Sequence, residues 1–494
     1  MMYYDLLKNK YMIVKEEQTF PPSQKRHALY DKFQAKISAN SHLTRSLVSF
    51  QANKQRRFSG WFKYKEGFSE QLVNYLLEKL KPQPGILLDP FAGTGTALFA
   101  ANALGWQTQG IELLPVGVYS IQARQIAQNI NIAAFKTAVA EIIPLNFTDY
   151  YDEKYSLQHI PITQGAFAPA EEKQLTGYLA YCQKYVENSD IRTLLLYAAF
   201  CILEDISYTR KDGQYLRWDY RAGRSQAKKQ FTKPEIYPFK IAIQRKLTQI
   251  TQDLQPDNFQ QLSLFTPLFE IESNHIKTKE PVLYQGSCLE ILPTMPAQSI
   301  DFVLTSPPYA NRYDYTRTYA LELVFLGCKE EKVKQLRQAM LSCTVENKDK
   351  QDYLKQIYTN QARLQDFLKI ESTFEKQEAL QEVLEVLELY RQQGKLNNSN
   401  ITRMLRNYFY EMSFVIYELA RLIKPGGIIA MVNDNVQYAG EEVPVDLILC
   451  DIAESFGLSV RHIWTLERGK GNSSQQMGNH GRSEIRKSVY IWEK

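Results

Sequence analysis

The sequence predicts a doubly wound, Rossmann-like α/β sheet carrying two largely helical or mixed insertions. Three observations predict it. A strand, a glycine turn, a helix and a second strand follow one another within residues 86–113. Apolar strand segments alternate with amphipathic helices again from residue 299 to the C-terminus. Two stretches, about 130–280 and 328–400, break that alternation and read as insertions.

In chain order, FSEQLVNYLLEKL (68–80) places apolar residues at helical spacing, and KPQPG stops it. ILLDPF (86–91) is a short apolar strand entering the glycine turn AGTGT (92–96). ALFAANALG (97–105) is a helix closed by Gly105, and QTQGIEL (107–113) is the next strand. Far downstream, SIDFVLTSPPY (299–309) is a strand running into a loop. RNYFYEMSFVIYELARLI (406–423) is a long amphipathic helix stopped by a KPGG turn (424–427). GGIIAMVNDN (426–435) is a strand, and VPVDLILCDIAESFG (443–457) is a helix. SVRHIWTLER (459–468) and KSVYIWEK (487–494) are two closing strands of a parallel sheet. Within the insertions, 171–187 and 366–393 read as helices, and 328–400 as a solvated helical bundle.

Composition sets outer limits. The chain has 494 residues, of which 44% are hydrophobic and 23% charged, which suits a globular core and excludes wholesale disorder or a fibre. No apolar run reaches the ~18 residues of a membrane span. The start, MMYYDLLKNK, lacks a basic-then-apolar signal pattern, so a cytoplasmic location is expected. The six cysteines show no metal-knuckle spacing, which points to reduced thiols and no metal site. A net charge of +5, from 59 basic and 54 acidic residues, neither demands nor excludes nucleic acid.

The glycine turn carries the first chemical signal. Gly93 and Gly95 let backbone approach a ligand, and the following helix opens with free N–H groups. No Lys-Ser/Thr pair follows, so a nucleoside-triphosphate P-loop is not expected. Glu112 ends the next strand, about twenty residues on, where a carboxylate can accept both ribose hydroxyls of a nucleoside cofactor.

TSPPY (305–309) carries the second. Ligands of doubly wound sheets sit at the carboxyl ends of strands, which puts this loop beside the glycine turn. The paired prolines stiffen it and leave Pro307 without an N–H, while its carbonyl and the Ser306 hydroxyl are acceptors. Tyr309 offers a ring for stacking on a base. An exocyclic amino group is a poor nucleophile because its lone pair is delocalised into the ring. Two acceptors holding its hydrogens turn that lone pair toward an electrophile, and such orientation contributes on the order of 7–11 kcal/mol at best.

LLDPFAGTGT, GIEL and TSPPY together resemble the S-adenosylmethionine-dependent DNA methyltransferases that modify exocyclic amino nitrogens, the cytosine-N4 and adenine-N6 enzymes. WFKYKEGFS (61–69), the stretch 284–309, the KPGG turn and the C-terminal segment from Gly471 share that look. The resemblance covers about 58–125, 284–325 and 405–494. It implies that S-adenosyl-L-methionine is the cofactor, lined by Asp89, Phe91, Gly93, Thr94 and Gly95, with Glu112 on its ribose and Phe68 closing over it. It implies that Ser306, Pro307, Pro308 and Tyr309 grip a target base flipped from double-stranded DNA. The family's Gly-Asp ahead of the catalytic strand reads Gly286-Ser287 here, so Ser287 takes the adenine contact or the contact is missing. A leading serine favours cytosine-N4, with adenine-N6 as the alternative, and RNA methylation or non-catalytic nucleic-acid binding behind them. Carbon-5 methylation needs a thiolate, usually after proline, and no Pro-Cys occurs. A restriction-modification or epigenetic marking role follows, alongside a separately acting cognate restriction endonuclease where one exists.

The implied division is an extension (1–57), a cofactor half (58–130), a candidate DNA-recognition insertion (131–280), a catalytic-loop part (281–327), a helical insertion (328–400) and a C-terminal core part (401–494). Between Tyr208 and Lys233, basic residues Arg210, Lys211, Arg217, Arg221, Arg224, Lys228, Lys229 and Lys233 interleave with Tyr215, Trp218, Tyr220 and Phe231. That pattern fits DNA contact, or a solvated loop packed on the core by its rings. The loop 469–482 either approaches DNA or is a connector.

Overall fold

The computed structural model describes residues 23–65, 67–212, 215–224, 230–255, 279–466, 470–471 and 484–494. In chain order its strands are Ile37–Ala39 (β1), Ile86–Asp89 (β2), Gln107–Glu112 (β3), Thr209–Asp212 (β4), Tyr215–Trp218 (β5), Val282–Gln285 (β6), Ile300–Thr305 (β7), Ile423–Asp434 (β8), Val436–Tyr438 (β9), Glu441–Val443 (β10), Ser459–Thr465 (β11), Lys470–Gly471 (β12), Glu484–Ile485 (β13) and Lys487–Glu493 (β14).

Among the described residues, eight strands form one sheet in the order β1-β11-β14-β8-β7-β2-β3-β6. Pairing is parallel from β6 through to β8, and β14 alone runs antiparallel, between β8 and β11. This is the expected doubly wound α/β architecture, with a Rossmann-like methyltransferase strand arrangement. One expectation is corrected: the last strand reverses. An antiparallel neighbour needs no helical crossover.

The sequence explains why the strands are where they are. Leu87 packs on one face of the sheet and Leu88 on the other; Phe302 and Leu304 oppose Val303 in the same way. Both faces are covered, so the strands read as continuous apolar runs rather than alternating ones. One face takes the helix Glu70–Leu80, whose Leu72, Val73, Leu76 and Leu77 share a stripe and whose first turn is capped by Ser69 Oγ at 3.2 Å from Leu72 N. The other face takes Ile401–Leu422 and Val445–Ser455.

Three further expectations change. The KPGG segment is not a turn but part of β8: the register jumps from Ile300 opposite Ile423 to Phe302 opposite Ile428, so the intervening residues bulge out at Gly426, φ +71°. The helix expected at 366–393 is two, Leu364–Glu375 and Glu378–Gln392, because Gln377 turns its side chain to accept from Leu380 N at 2.6 Å and starts a new helix. The 328–400 segment is not a solvated bundle. Leu354, Tyr358, Phe367, Ile370, Phe374 and Leu380 are buried in the same apolar cluster as Val303 and Met431 of the sheet.

Residues 131–255 build a second apolar cluster from the helices Ile132–Ile142, Pro169–Tyr185, Ser189–Cys201 and Phe239–Asp253, with the antiparallel hairpin β4–β5 at its edge. Among the described residues no helix is long and apolar enough to cross a membrane.

Candidate active site

The chain winds outward from β2 to β3 and β6, returns to β7 beside β2, and continues to β8. The reversal between β2 and β7 opens a crevice at their carboxyl ends, where ligands of such sheets bind. The glycine turn, Glu112 and the Ser306–Tyr309 loop all leave the sheet there.

After β2, Gly93 and Gly95 take φ of +55° and +81°, torsions that a side chain disfavours. Gly95 caps the helix Thr96–Ala103. Glu112, at the end of β3, accepts from Gly93 N at 2.7 Å through Oε2 and from Leu114 N at 2.6 Å through Oε1. Burial raises its pKa to about 7 against the pull of those N–H groups. Asp89, at the end of β2, is also raised by burial to about 7, opposed by the Thr305 hydroxyl and Phe91 N.

The Thr305 hydroxyl at the end of β7 donates to Asp89 Oδ1 at 2.7 Å. Ser306 Oγ and Tyr309 Oη lie 3.0 Å apart. The Tyr438 hydroxyl donates to the Ala310 carbonyl just beyond. The Lys487 ammonium sits over the Tyr309 ring, 5.4 Å from its centre, and 3.3 Å from Asp434 Oδ1. Burial alone would depress the Lys487 pKa, but Tyr309 and Asp434 outweigh it and hold it above the ordinary value. Burial raises the Tyr309 hydroxyl pKa, partly offset by Lys487.

A cleft runs across these strand ends. It brings together Phe91, Gly93, Glu112, Ser287, Ser306 and Pro308 from the sequence expectations. Asp89, Thr94, Gly95, Pro307 and Tyr309 stand outside its lining, joined to it by the bonds above or by the chain itself. Phe68 does not close over it. That ring is buried with Leu72, Leu76 and Phe302, and Tyr64 lines the cleft instead, stacked 5.0 Å from Tyr319. Leu114, Tyr315, Met340 and Leu341 also line it and carried no signal in the sequence.

One glycine was missed that the motif pattern could have exposed. A Cβ on Gly117, in the first turn of the helix Pro115–Asn129, would clash with the Gly93 carbonyl and lie 2.8 Å from Glu112 Cγ. Its place five residues after Glu112 was the available hint.

The basic segment divides. Arg210 is exposed on β4 opposite Arg217 on β5, which pairs with Asp212 at 3.0 Å. Arg224 stacks on Trp218 at 3.8 Å and donates to the carbonyls of Pro161 and Gln164, and Arg221 pairs with buried Asp219. Lys211 is corrected: its side chain points inward, 3% exposed, onto Glu322 at 2.5 Å and the rings of Phe62 and Tyr319. Lys233 is buried as well, donating to the Ser207 carbonyl at 2.9 Å. Alternation along β4 explains Lys211, because Arg210 and Lys211 must face opposite ways. Lys228 and Lys229, and the 469–482 loop apart from Lys470 and Gly471, lie outside the described residues.

Comparison with known proteins adds an independent finding. The chain is 45% identical over 469 residues to the type II methyltransferase M.AvaI of a Nostoc species, covering 94% of this chain and 92% of the relative, and equally so to M.AvaI of Anabaena variabilis. It is 39% identical over 489 residues to the type II methyltransferase M.BsoBI of Geobacillus stearothermophilus, covering 96% of this chain and 93% of the relative. No family model and no solved structure matches it.

Proposed function

This chain belongs to the type II methyltransferase family, and on that premise we propose that it transfers a methyl group from S-adenosyl-L-methionine to the exocyclic N4 of a cytosine flipped from double-stranded DNA. The observation that carries the reading is that Gly93, Glu112, Ser306 and Pro308 line one cleft.

The residues present fit the cofactor. A carboxylate has about four acceptor sites, and the two Glu112 bonds to backbone leave room for a ribose diol. The cradle is also close: a Cβ on Gly93 would meet the Tyr64 ring at 3.1 Å. When bound, the cofactor supplies an electrophilic methyl on a sulfonium. Glu112 and the Gly93 turn hold it. The Ser306 hydroxyl and the Pro307 carbonyl accept the two amino hydrogens of the base and aim the nitrogen lone pair. The Tyr309 ring stacks on the base, steadied by Lys487. Phe91 and Tyr64 exclude water from the cleft. Serine at the head of the loop is the ground for cytosine over adenine.

Cys288 lines the cleft, but burial pushes its thiol pKa far up, which disfavours a thiolate route to carbon 5. The insertion 131–280 is the proposed DNA-recognition region, with the hairpin arginines Arg210 and Arg217 as its DNA contacts. The role is methylation in a restriction-modification pair with a separate nuclease. Incubation with methyl-labelled S-adenosylmethionine and separate DNA, RNA and protein pools tests the substrate class. Label in DNA is expected; label in RNA with none in DNA overturns it.

A further inference from the structure

The order of strands gives the cleft a direction. Ser306 and Pro308 follow β7, Gly93 follows β2, Glu112 ends β3, and Gly286–Cys288 follow β6, and those four strands are neighbours in that order. On the cofactor reading above, which this inference rests on, the Ser306 loop at the β7 end would face the reacting methyl and Glu112 at the end of β3 would hold the ribose. The purine is left at the β6 end.

That end is closed by a segment from elsewhere in the chain. Met340 and Leu341, which follow the helix Glu330–Ala339, line the cleft beside Cys288. We propose that residues 339–343 form the purine-binding wall of the cofactor site, and that the buried pair Lys350–Glu411 positions it. Met340 and Leu341 supply apolar surface for the flat base. Lys350 and Glu411 act through the strap and do not touch the cofactor.

Several bonds clamp this strap. Ser287 Oγ donates to the Ala339 carbonyl at 3.2 Å. The hydroxyl standing where the resembled family has its aspartate is therefore engaged by the strap. Lys350 Nζ donates to the Met340 carbonyl at 2.8 Å and to both Glu411 oxygens at 2.8 Å. Ser342 N donates to Glu411 Oε2 at 2.7 Å, and its hydroxyl donates to Oε1. Asn347 Oδ1 accepts from the backbone N–H of Cys343 and Thr344 at 3.2 and 3.0 Å. Glu411 and Ser342 are both fully buried. A buried ion pair is weak at adding stability compared with apolar packing of the same volume, and better attested as a device for holding one geometry. Here it holds two strap residues, Met340 and Ser342, through their backbone. The strap at the end of this helix thus serves the methyl donor.

The test uses S-adenosylhomocysteine, the stable product, on the full chain. Calorimetry is expected to show roughly tenfold or greater weakening for Met340→Ala with Leu341→Ala. In turnover, KM for S-adenosylmethionine is expected to rise by more than kcat falls. Lys350→Met is expected to reproduce the KM effect, and Lys350→Arg to recover part of it. Amide hydrogen exchange on the unaltered protein supplies a readout that needs no variant: S-adenosylhomocysteine should protect residues 339–344. Unchanged affinity in the Met340/Leu341 variant, or no added protection of 339–344, overturns the wall while Glu112→Ala still loses binding. If the unaltered protein binds no S-adenosylhomocysteine, the cofactor reading falls and the wall with it.

Discussion

The Thr305 hydroxyl donates to the Asp89 carboxylate across 2.7 Å, joining the strand that ends in the glycine turn to the strand that ends in the Ser-Pro-Pro-Tyr loop. Both groups are buried, so neither finds water if the other is removed. Thr305→Val is expected to destabilise the protein by about 1–3 kcal/mol, the cost of a buried polar group left short of a partner. Urea unfolding measures it, and Thr305→Ser should recover most of the loss.

Gly117→Ala sets helix propensity against crowding. Alanine favours a helix interior by about 0.8–1 kcal/mol. Its Cβ would nevertheless press on the Gly93 carbonyl and on Glu112. Affinity for S-adenosylhomocysteine is expected to fall by roughly tenfold or more, since shifts of this size near a bound ligand disturb its orientation strongly. Calorimetry on the variant checks it; affinity equal to wild type would mean the turn does not close on Glu112.

Glu112 and Asp89 make the apoprotein pH-sensitive. Burial raises both to about 7, well above the usual carboxylate range. The folded chain therefore holds protons that the unfolded chain has released. Their contribution to stability is full below about pH 4 and is lost as pH rises toward 7. Cofactor binding runs the other way. On the proposed ribose contact, only the ionised Glu112 would accept both hydroxyls, so affinity should rise with pH up to about 7 and then level. Titration from about pH 5.5 to about pH 8.5, a span that brackets this value, should show proton release on binding, and Glu112→Gln should flatten the profile.

Tyr309 stands beside the cleft rather than in its lining, linked through Ser306 at 3.0 Å. Tyr309→Ala should lower kcat on the order of a hundredfold, the scale expected when a reactant is no longer held in position, with cofactor affinity nearly intact. Tyr309→Phe keeps the ring, loses the Ser306 bond and should fall between. Loss of cofactor binding alone in Tyr309→Ala would reverse the division of roles.

The hairpin separates surface from interior lysines and arginines. Arg210→Ala with Arg217→Ala should weaken DNA binding for all sequences and reduce the salt slope by about 0.9 for each phosphate that is no longer neutralised. Lys211→Met should instead cost about 3–5 kcal/mol of stability, because it strands buried Glu322 without its cation. Filter binding over a salt series and thermal melts distinguish the two.

Local signals were legible in the sequence because their chemistry is contiguous. The glycine turn, Glu112 and the Ser306–Tyr309 loop each lie at one strand end, so the strand pattern alone placed them together. Neighbours brought in by tertiary return were not legible. Tyr64 rather than Phe68 lines the cleft because the segment before the helix Glu70–Leu80 sends Phe68 into the core. Met340 and Leu341 arrive from a segment whose apolar periodicity shows only that it is helical. The new helix start at Gln377 depends on one side-chain bond, and apolar spacing continues through it.

The most direct measurement is nucleoside mass spectrometry of DNA from cells expressing the protein, beside cells expressing the Ser306→Ala form. N4-methylcytosine in the first and its loss in the second is the expected result. N6-methyladenine would contradict the choice of base, and 5-methylcytosine, or no modified base at all, would contradict transfer to an amino nitrogen held by the Ser306 loop.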